Sequence, residues 1–128
     1  MEIIVKKLEV KKDYRGWLAE IVEGKDVGIK DFGLILVTTA KPGQTKGGHY
    51  HKRKTEWYCV LRGKGLLTLV DNKSNEKTEM EIGEGNMVLV KITPLTTHTI
   101  KNIGDVELFL LVYVDESFNE QDPDTYYD

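Results

Sequence analysis

The sequence of 128 residues contains one cysteine, Cys59, only three histidines and only three prolines. A single cysteine excludes an intramolecular disulfide and a zinc site built from several thiolates, so nitrogen and oxygen atoms would have to hold any metal. No apolar run approaches the roughly eighteen residues that cross a bilayer, and the apolar stretch at the start is too short for a signal-peptide core. We therefore expect a cytoplasmic protein with no membrane partner.

The chain also lacks a basic stripe. Its net charge is −3, and its lysines and arginines are interleaved with acids, which disfavours nucleic acid as a partner and favours a small ligand. The length, with 40% apolar and 30% charged residues, predicts one globular domain over residues 1–128. Within it, residues 115–128 form an acidic tail without lysine or arginine. This tail is either a solvated end or an arm docked through Phe118, Tyr126 and Tyr127.

Helical periodicity is not sustained anywhere over three turns. Instead, short apolar runs are separated by turn residues such as Lys41-Pro42-Gly43, a pattern typical of an all-β sandwich or barrel. Strands are predicted near Glu2–Val10, Trp17–Val22, Phe32–Thr39, Gly48–His51, Glu56–Leu61, Gly65–Val70, Thr78–Ile82, Met87–Ile92, His98–Asn102 and Val106–Val114.

The positions of the three histidines carry most of the chemical information. His49 and His51 flank Tyr50, so on a strand both imidazoles point to the same face. Glu56 follows at the head of the next strand, where a hairpin would bring its carboxylate beside them. His98 begins a later strand. Three imidazoles and one carboxylate suit Zn, Fe, Ni, Mn or Cu and serve Ca or Mg poorly.

These residues also match a known sequence motif. Gly43, His49, His51, Glu56 and Gly63 are separated by five, one, four and six residues, which is the spacing of the first motif of the cupin superfamily. Singly, each residue has a simpler interpretation, since a lone histidine is more often hydrogen-bonded than metal-bound and Glu56 could form an ordinary surface ion pair. The resemblance implies a cupin double-stranded β-helix, the jelly-roll barrel, with a metal site.

The second cupin motif is matched in part. His98 and Asn102 stand where the family has its last metal-binding histidine and an asparagine four residues later. The preceding turn departs from the family pattern, because it reads Thr93-Pro94-Leu95 and Leu95 replaces the usual glycine. The resemblance therefore implies His49, His51, Glu56 and His98 as the ligands of one divalent metal ion.

A closer resemblance spans most of the chain. The segment 13–20, DYRGWLAE, resembles a strand of the cupin-type sugar-nucleotide epimerases, which include dTDP-4-dehydrorhamnose 3,5-epimerase. The block 41–51 and the terminal 123–126 are similar to the carboxy-terminal cupin domain of the bifunctional capsular-polysaccharide enzymes that epimerise, then reduce, a UDP-4-keto-6-deoxy sugar. The resemblance implies epimerisation of the carbon next to the ketone of such a sugar. It also implies zinc, with Fe, Ni or Mn as possible replacements.

Several further residues acquire roles from this resemblance. Arg15 and Lys46 correspond to residues that, in the resembling enzymes, lie at the mouth of the barrel and would bind the diphosphate of the nucleotide. Trp17 is a candidate for lining the same mouth. His98 is both a metal ligand and, through the metal, a catalytic residue. The general base is unassigned, because a metal-bound His49 cannot take a proton. Tyr58, on the same face as Glu56, is our candidate for proton transfer.

Two other functions remain open. One is a metal-binding or sugar-binding cupin that catalyses no reaction, and the other is a metal-dependent oxygenase or isomerase with the same ligands. The resembling enzymes carry a reductase that this sequence lacks, so a separate reductase is a possible partner. We also expect a homodimer, because pairing across a two-fold axis covers exposed strand edges and sheet faces.

Overall fold

The computed structural model describes residue 7 and residues 9–24 and 31–127. Within these residues eleven β-strands are assigned. They are β1 (Val10–Asp13), β2 (Gly16–Glu23), β3 (Leu34–Ala40), β4 (Thr45–Tyr50), β5 (Glu56–Arg62), β6 (Lys64–Asp71), β7 (Lys77–Gly83), β8 (Val90–Ile92), β9 (Thr96–Asn102), β10 (Leu108–Val114) and β11 (Tyr126–Tyr127).

The strands form two antiparallel sheets. One has six strands in the order β1-β2-β3-β10-β5-β8, and the other has five in the order β11-β4-β9-β6-β7. Strand β10 shows why the sheets stack: Leu108, Leu110, Val112 and Val114 are buried, and the residues between them are half-buried on the opposite face. This alternation places one apolar face of the sheet in the shared core, which also contains Val60, Leu67, Ile82, Ile92 and Ile100.

The all-β prediction is confirmed for the described residues, and most predicted strands coincide with observed ones. The predicted Met87–Ile92 is shortened to β8, because Glu84 and Gly85 form a turn and residues 87–89 have no strand pairing. The predicted Glu2–Val10 lies, apart from Lys7, Glu9 and Val10, outside the described residues. Strands β1 and β11 were not predicted.

Strand β11 decides between the two interpretations of the acidic tail. Tyr126 and Tyr127 pair with Tyr50 and His49 at the edge of the five-stranded sheet, and Asp124 is only 2% exposed. The tail is therefore a docked arm, which we call the C-terminal arm (residues 115–127). A local apolar pattern could not predict this, because the partner strand lies about 75 residues earlier in the chain.

The turn that departs from the second cupin motif keeps a glycine-like conformation. Leu95 has φ of 63°, the left-handed region, although a leucine there is disfavoured by about 1–2 kcal/mol. Its backbone N–H donates to the His51 carbonyl at 2.7 Å, and its own carbonyl accepts from the Asn72 N–H at 3.0 Å. These tertiary hydrogen bonds hold the turn, so β9 begins in position despite the substitution.

Candidate metal centre

The four predicted ligands come together, and they join the two sheets. His49 lies near the end of β4 and is paired directly with His98 on β9, both in the five-stranded sheet. Glu56 opens β5 in the six-stranded sheet, opposite Val114. The expected hairpin between His51 and Glu56 is wrong: residues 51–55 cross from one sheet to the other, and β4 does not pair with β5.

One ligand atom from each of these four residues lies within 4.8 Å of all the others. The Nε2 atoms of His51 and His98 are both 3.0 Å from the Oε1 atom of Glu56. His98 is completely buried, and its Nε2 has no hydrogen-bond partner among the described residues. A buried, unpartnered nitrogen aimed at a carboxylate and two further imidazoles fits a divalent metal ion, which would satisfy all four donors.

Backbone carbonyls orient two of the imidazoles. The Nδ1 atom of His51 lies 2.7 Å from the carbonyl oxygen of Asp124, and that of His98 lies 3.1 Å from the carbonyl oxygen of Thr96. Because a carbonyl oxygen only accepts, each Nδ1 carries a proton, which leaves Nε2 as the nitrogen available to a metal. This is the tautomer that metal coordination through Nε2 requires.

The electrostatics of the cluster keep Glu56 and His49 in the protonation states that bind a metal. Burial alone would raise the pKa of Glu56, but the imidazoles of His51 and His98 outweigh it and bring the pKa to about 2. Burial and the neighbouring imidazoles lower the pKa of His49 to about 4. At neutral pH the carboxylate is therefore ionised and His49 is neutral, which are the forms that coordinate a metal.

Two glycines bend β4 so that His49 faces His98. The register between β4 and β9 shifts between Gly47 and His49, a β-bulge. Gly47 has φ of 98° and Gly48 has φ of 85°, values that side chains disfavour. At Gly47 a Cβ would also lie 2.5 Å from the carbonyl oxygen of His98, so only glycine allows this close approach.

This bulge gives a paired prediction. Gly48→Ala should lower the free energy of unfolding by about 1 kcal/mol, because it meets an unfavourable φ but no atom within 4 Å. Gly47→Ala should cost at least about twice as much, since overpacking against the His98 carbonyl is added. Urea unfolding of the two variants measures the difference, and equal losses would contradict the assigned close approach.

A cavity of about 520 Å³ opens above the ligands. His49, His51 and Glu56 lie on its wall together with Arg15 and Lys46. The two cations thus line the same cavity as three of the candidate metal ligands. Further lining residues are Lys11, Lys12, Asp13, Leu18, Glu20, Leu34, Leu36, Lys54, Glu116, Phe118 and Tyr127.

The cations on the wall are held by neighbouring side chains. Arg15 donates from Nε to the carboxylate of Asp13 at 3.1 Å, and this ion pair lowers the pKa of Asp13 to about 2. Lys46 donates from Nζ to Thr38 Oγ1 at 2.9 Å, while burial and the nearby Arg15 lower its pKa. Arg15 and Lys46 thus present two cationic groups to the cavity, and Asp13 partly compensates the charge of Arg15.

Trp17 and Tyr58 lie elsewhere. Trp17 packs edge-on against Phe109, with ring centroids 5.7 Å apart, and does not line the cavity. The reason is strand alternation, because its neighbour Leu18 points inward. Tyr58 shares the inward face with Glu56, but it is only 6% exposed, packs against His98 and is absent from the cavity wall. Burial, and secondarily Glu56, raises its pKa well above the usual value.

The structure adds residues that sequence reasoning did not assign to the site. Lys54, Phe118 and Tyr127 line the cavity, and the last two belong to the C-terminal arm. The ring of Tyr127 lies edge-on to His49, with centroids 5.8 Å apart. The sequence signal for Phe118 and Tyr127 was the presence of aromatic residues in an otherwise acidic segment, which suggested docking but not where.

Almost the whole described chain matches one known protein family. Residues 11–126 match the family described as the polysaccharide biosynthesis C-terminal domain. The chain belongs to this family. Among the described residues, no helix is long and apolar enough to span a membrane.

Three curated relatives have names that refer to sugars or to glycan biosynthesis. The UDP-2-acetamido-2,6-beta-L-arabino-hexul-4-ose reductase of Pseudomonas aeruginosa is 32% identical over 89% of this chain and 29% of its own length. The spore coat polysaccharide biosynthesis protein SpsL of Bacillus subtilis is 29% identical, covering 94% and 83%. The probable low-salt glycan biosynthesis epimerase Agl13 of Haloferax volcanii is 25% identical, covering 96% and 83%. An enzyme family is thereby confirmed.

Solved structures confirm the cupin fold. The capsular polysaccharide assembling protein CapF of Staphylococcus aureus has a TM-score of 0.87 and 32% identity, over 96% of this chain and 34% of that one. Oxalate decarboxylase of Bacillus subtilis, an enzyme with Mn(II) centres, has a TM-score of 0.77 and 26% identity over 94% of this chain and 30% of that one. The chain thus spans about a third of CapF and less than a third of the reductase.

Proposed function

We propose that this chain is a metal-dependent cupin that epimerises the carbon next to the ketone of a nucleotide-activated 4-keto-6-deoxy sugar. The observation that carries the proposal is the arrangement of four converging metal donors beside a cavity that also contains Arg15 and Lys46. Relatives named for glycan and polysaccharide biosynthesis support the same class of substrate.

His49, His51, Glu56 and His98 would hold one divalent ion, for which zinc is our first choice and Fe, Ni or Mn are alternatives. When bound, such an ion supplies Lewis-acid stabilisation of the negative charge that develops on the ketone oxygen as the neighbouring carbon loses its proton. Because His49, His51 and Glu56 line the cavity, an ion bound there would be within reach of a sugar.

Arg15 and Lys46 would bind the diphosphate. Asp13 accepts hydrogen bonds from Nε and Nη2 of the Arg15 guanidinium, at 3.1 and 2.5 Å, and orients it. Guanidinium and ammonium groups are the usual partners of phosphate oxygens, and binding energy from this remote part of the substrate can orient the sugar carbon.

Proton transfer needs a group that reaches the sugar. Epimerisation removes a proton from one face of the carbon and returns one to the opposite face. Tyr127 lies on the cavity wall beside His49, whereas the hydroxyl of Tyr58 belongs to a side chain enclosed in the core. We therefore propose that the Tyr127 hydroxyl transfers protons between solvent and this carbon, with Tyr58, the proton-transfer candidate from the sequence, as the alternative.

Incorporation of solvent deuterium tests the proposed reaction directly. Incubating the metal-loaded protein in D₂O with UDP- and dTDP-linked 4-keto-6-deoxy sugars should place deuterium on the carbon next to the ketone. Absence of exchange with every such sugar would favour a non-catalytic binding module. Turnover that consumes O₂ would favour the oxygenase alternative.

Arg15→Ala should raise the apparent KM for the nucleotide sugar by about 10–100-fold with a smaller effect on kcat, because a hydrogen bond between charged groups contributes about 1.5–3 kcal/mol. Arg62→Ala is the matched control, since Arg62 is exposed at the end of β5 and does not line the cavity. Steady-state kinetics give the two constants. A kcat effect without a change in KM would remove Arg15 from substrate binding.

We further propose a homodimer formed through the outer face of the six-stranded sheet. This face presents a half-buried apolar row that includes Trp17, Trp57, Phe109, Leu111 and Tyr113. An apolar sheet face of this kind is typical of a surface covered by a partner.

Light scattering should therefore return about twice the chain mass of 14.6 kDa at micromolar concentration. Leu111→Arg, at the centre of this face, should shift the protein toward the monomer, because it would place an unpaired charge in the interface. A wild-type mass of one chain would contradict the dimer.

A separate reductase would complete the reaction sequence. This chain matches only 29% of the length of the Pseudomonas reductase, and the proposed epimerisation leaves the ketone intact. A second enzyme that transfers hydride to that ketone would consume the product.

A further inference from the structure

We infer that Asp124 is a positioning residue of the metal centre, an inference that rests on the metal binding proposed above. Asp124 lies on the C-terminal arm, 73 residues after His51, and is 2% exposed. It contacts the ligand-bearing turn through both its backbone and its side chain. None of its atoms belongs to the candidate ligand set.

The carboxylate of Asp124 binds the turn that joins two ligands. Three consecutive backbone N–H groups donate to it: Lys52 to Oδ1 at 3.0 Å, Arg53 to Oδ2 at 3.0 Å and Lys54 to Oδ2 at 3.1 Å. These residues lie between His51 and Glu56, where the chain crosses from one sheet to the other. The carboxylate thus fixes the backbone on which the spacing of the two ligands depends.

The backbone of the same residue orients a ligand. The carbonyl of Asp124 accepts the Nδ1 proton of His51 at 2.7 Å, and the neighbouring Pro123 carbonyl accepts from Lys54 Nζ at 2.7 Å. Two consecutive arm residues therefore satisfy five donors of the segment 51–54. An acceptor that binds the second ring nitrogen of a coordinating histidine orients the imidazole and raises its basicity. Loss of such an acceptor typically weakens metal binding by about 10–100-fold.

This arrangement makes the metal centre depend on docking of the arm. With the arm displaced, His51 would lose the acceptor that selects its tautomer, and the turn would lose three backbone hydrogen bonds at once. A merely structural Asp124 would instead stabilise the fold and leave the metal affinity of the folded protein unchanged. The two roles are therefore separable by measurement.

The test compares Asp124→Asn with Asp122→Asn. Asparagine has the same shape as aspartate, but one of its two terminal atoms is a donor and would face the backbone N–H groups. Asp122 is on the same arm, and its carboxylate makes an exposed ion pair with Arg53 at 2.9 Å. Competition with a chromophoric chelator gives the Zn²⁺ affinity, and the visible bands of bound Co²⁺ report the ligand geometry.

We expect Asp124→Asn to bind Zn²⁺ about 10–100-fold more weakly and to alter the Co²⁺ bands, while Asp122→Asn matches the wild type. Circular dichroism establishes that the variants are folded. A folded Asp124→Asn with wild-type affinity and spectrum would overturn the inference and leave the metal site intact. Wild-type protein that binds neither ion would overturn the proposed metal function as well.

A second measurement needs no variant. In the zinc-loaded wild-type protein labelled with ¹⁵N-histidine, His51 should be bound through Nε2 and should carry a slowly exchanging Nδ1 proton held by the Asp124 carbonyl. Coordination of His51 through Nδ1, or rapid exchange of that proton, would overturn the inference even if Asp124→Asn failed to fold.

Discussion

Replacing Glu56 with alanine is expected to weaken Zn²⁺ binding by more than about 100-fold, a larger effect than the loss of an outer hydrogen-bond partner. Glu56 is the anionic member of the cluster, and its Oε1 lies 3.0 Å from the Nε2 atoms of both His51 and His98. Without it, three neutral imidazoles would face a divalent cation with no compensating charge. Chelator competition and the metal content of the purified protein measure the loss.

Glu81→Ala is the matched control, because Glu81 is exposed on β7. It should purify with the same metal content as the wild type. The double variant His51→Ala, Glu56→Ala removes two donors at once and should contain no stoichiometric metal while circular dichroism still reports β-structure. Stoichiometric metal in that double variant would show that the ligand assignment is wrong.

Removing the hydroxyl of Tyr127 is expected to slow deuterium exchange into the sugar by about 100-fold or more, the usual contribution of a positioned proton donor or acceptor. Tyr127 lines the cavity and lies edge-on to His49, so Tyr127→Phe removes the hydroxyl and keeps the ring. Exchange measured by NMR at saturating substrate reports the chemical step.

Tyr58→Phe is the matched comparison for Tyr127→Phe, because it removes the hydroxyl of the other candidate for proton transfer. Tyr58 is enclosed beside His98, so its variant should exchange close to the wild-type rate with unchanged metal content. The reverse result, a slow Tyr58→Phe and a normal Tyr127→Phe, would return proton transfer to the residue that the sequence suggested. His98→Ala should abolish exchange, because it removes a predicted metal ligand.

Local spacing was sufficient to predict that three of the four candidate ligands lie together. His49, His51 and Glu56 lie within eight residues, and strand alternation already places the two imidazoles on one face. The same periodicity correctly predicted buried strands such as β10. It did not show how His51 and Glu56 approach each other, since the connection could be a hairpin or a crossing between sheets, and the tertiary structure has the crossing.

The sequence by itself thus determined the all-β class, the cupin resemblance and the four candidate metal donors, because these depend on residue spacing within two short stretches, 43–63 and 98–102. Only the tertiary structure decided that the C-terminal arm docks, that Asp124 holds the turn after His51, and that Tyr127 rather than Tyr58 faces the cavity. These features depend on contacts between segments more than fifty residues apart, for which the sequence contains no local periodicity.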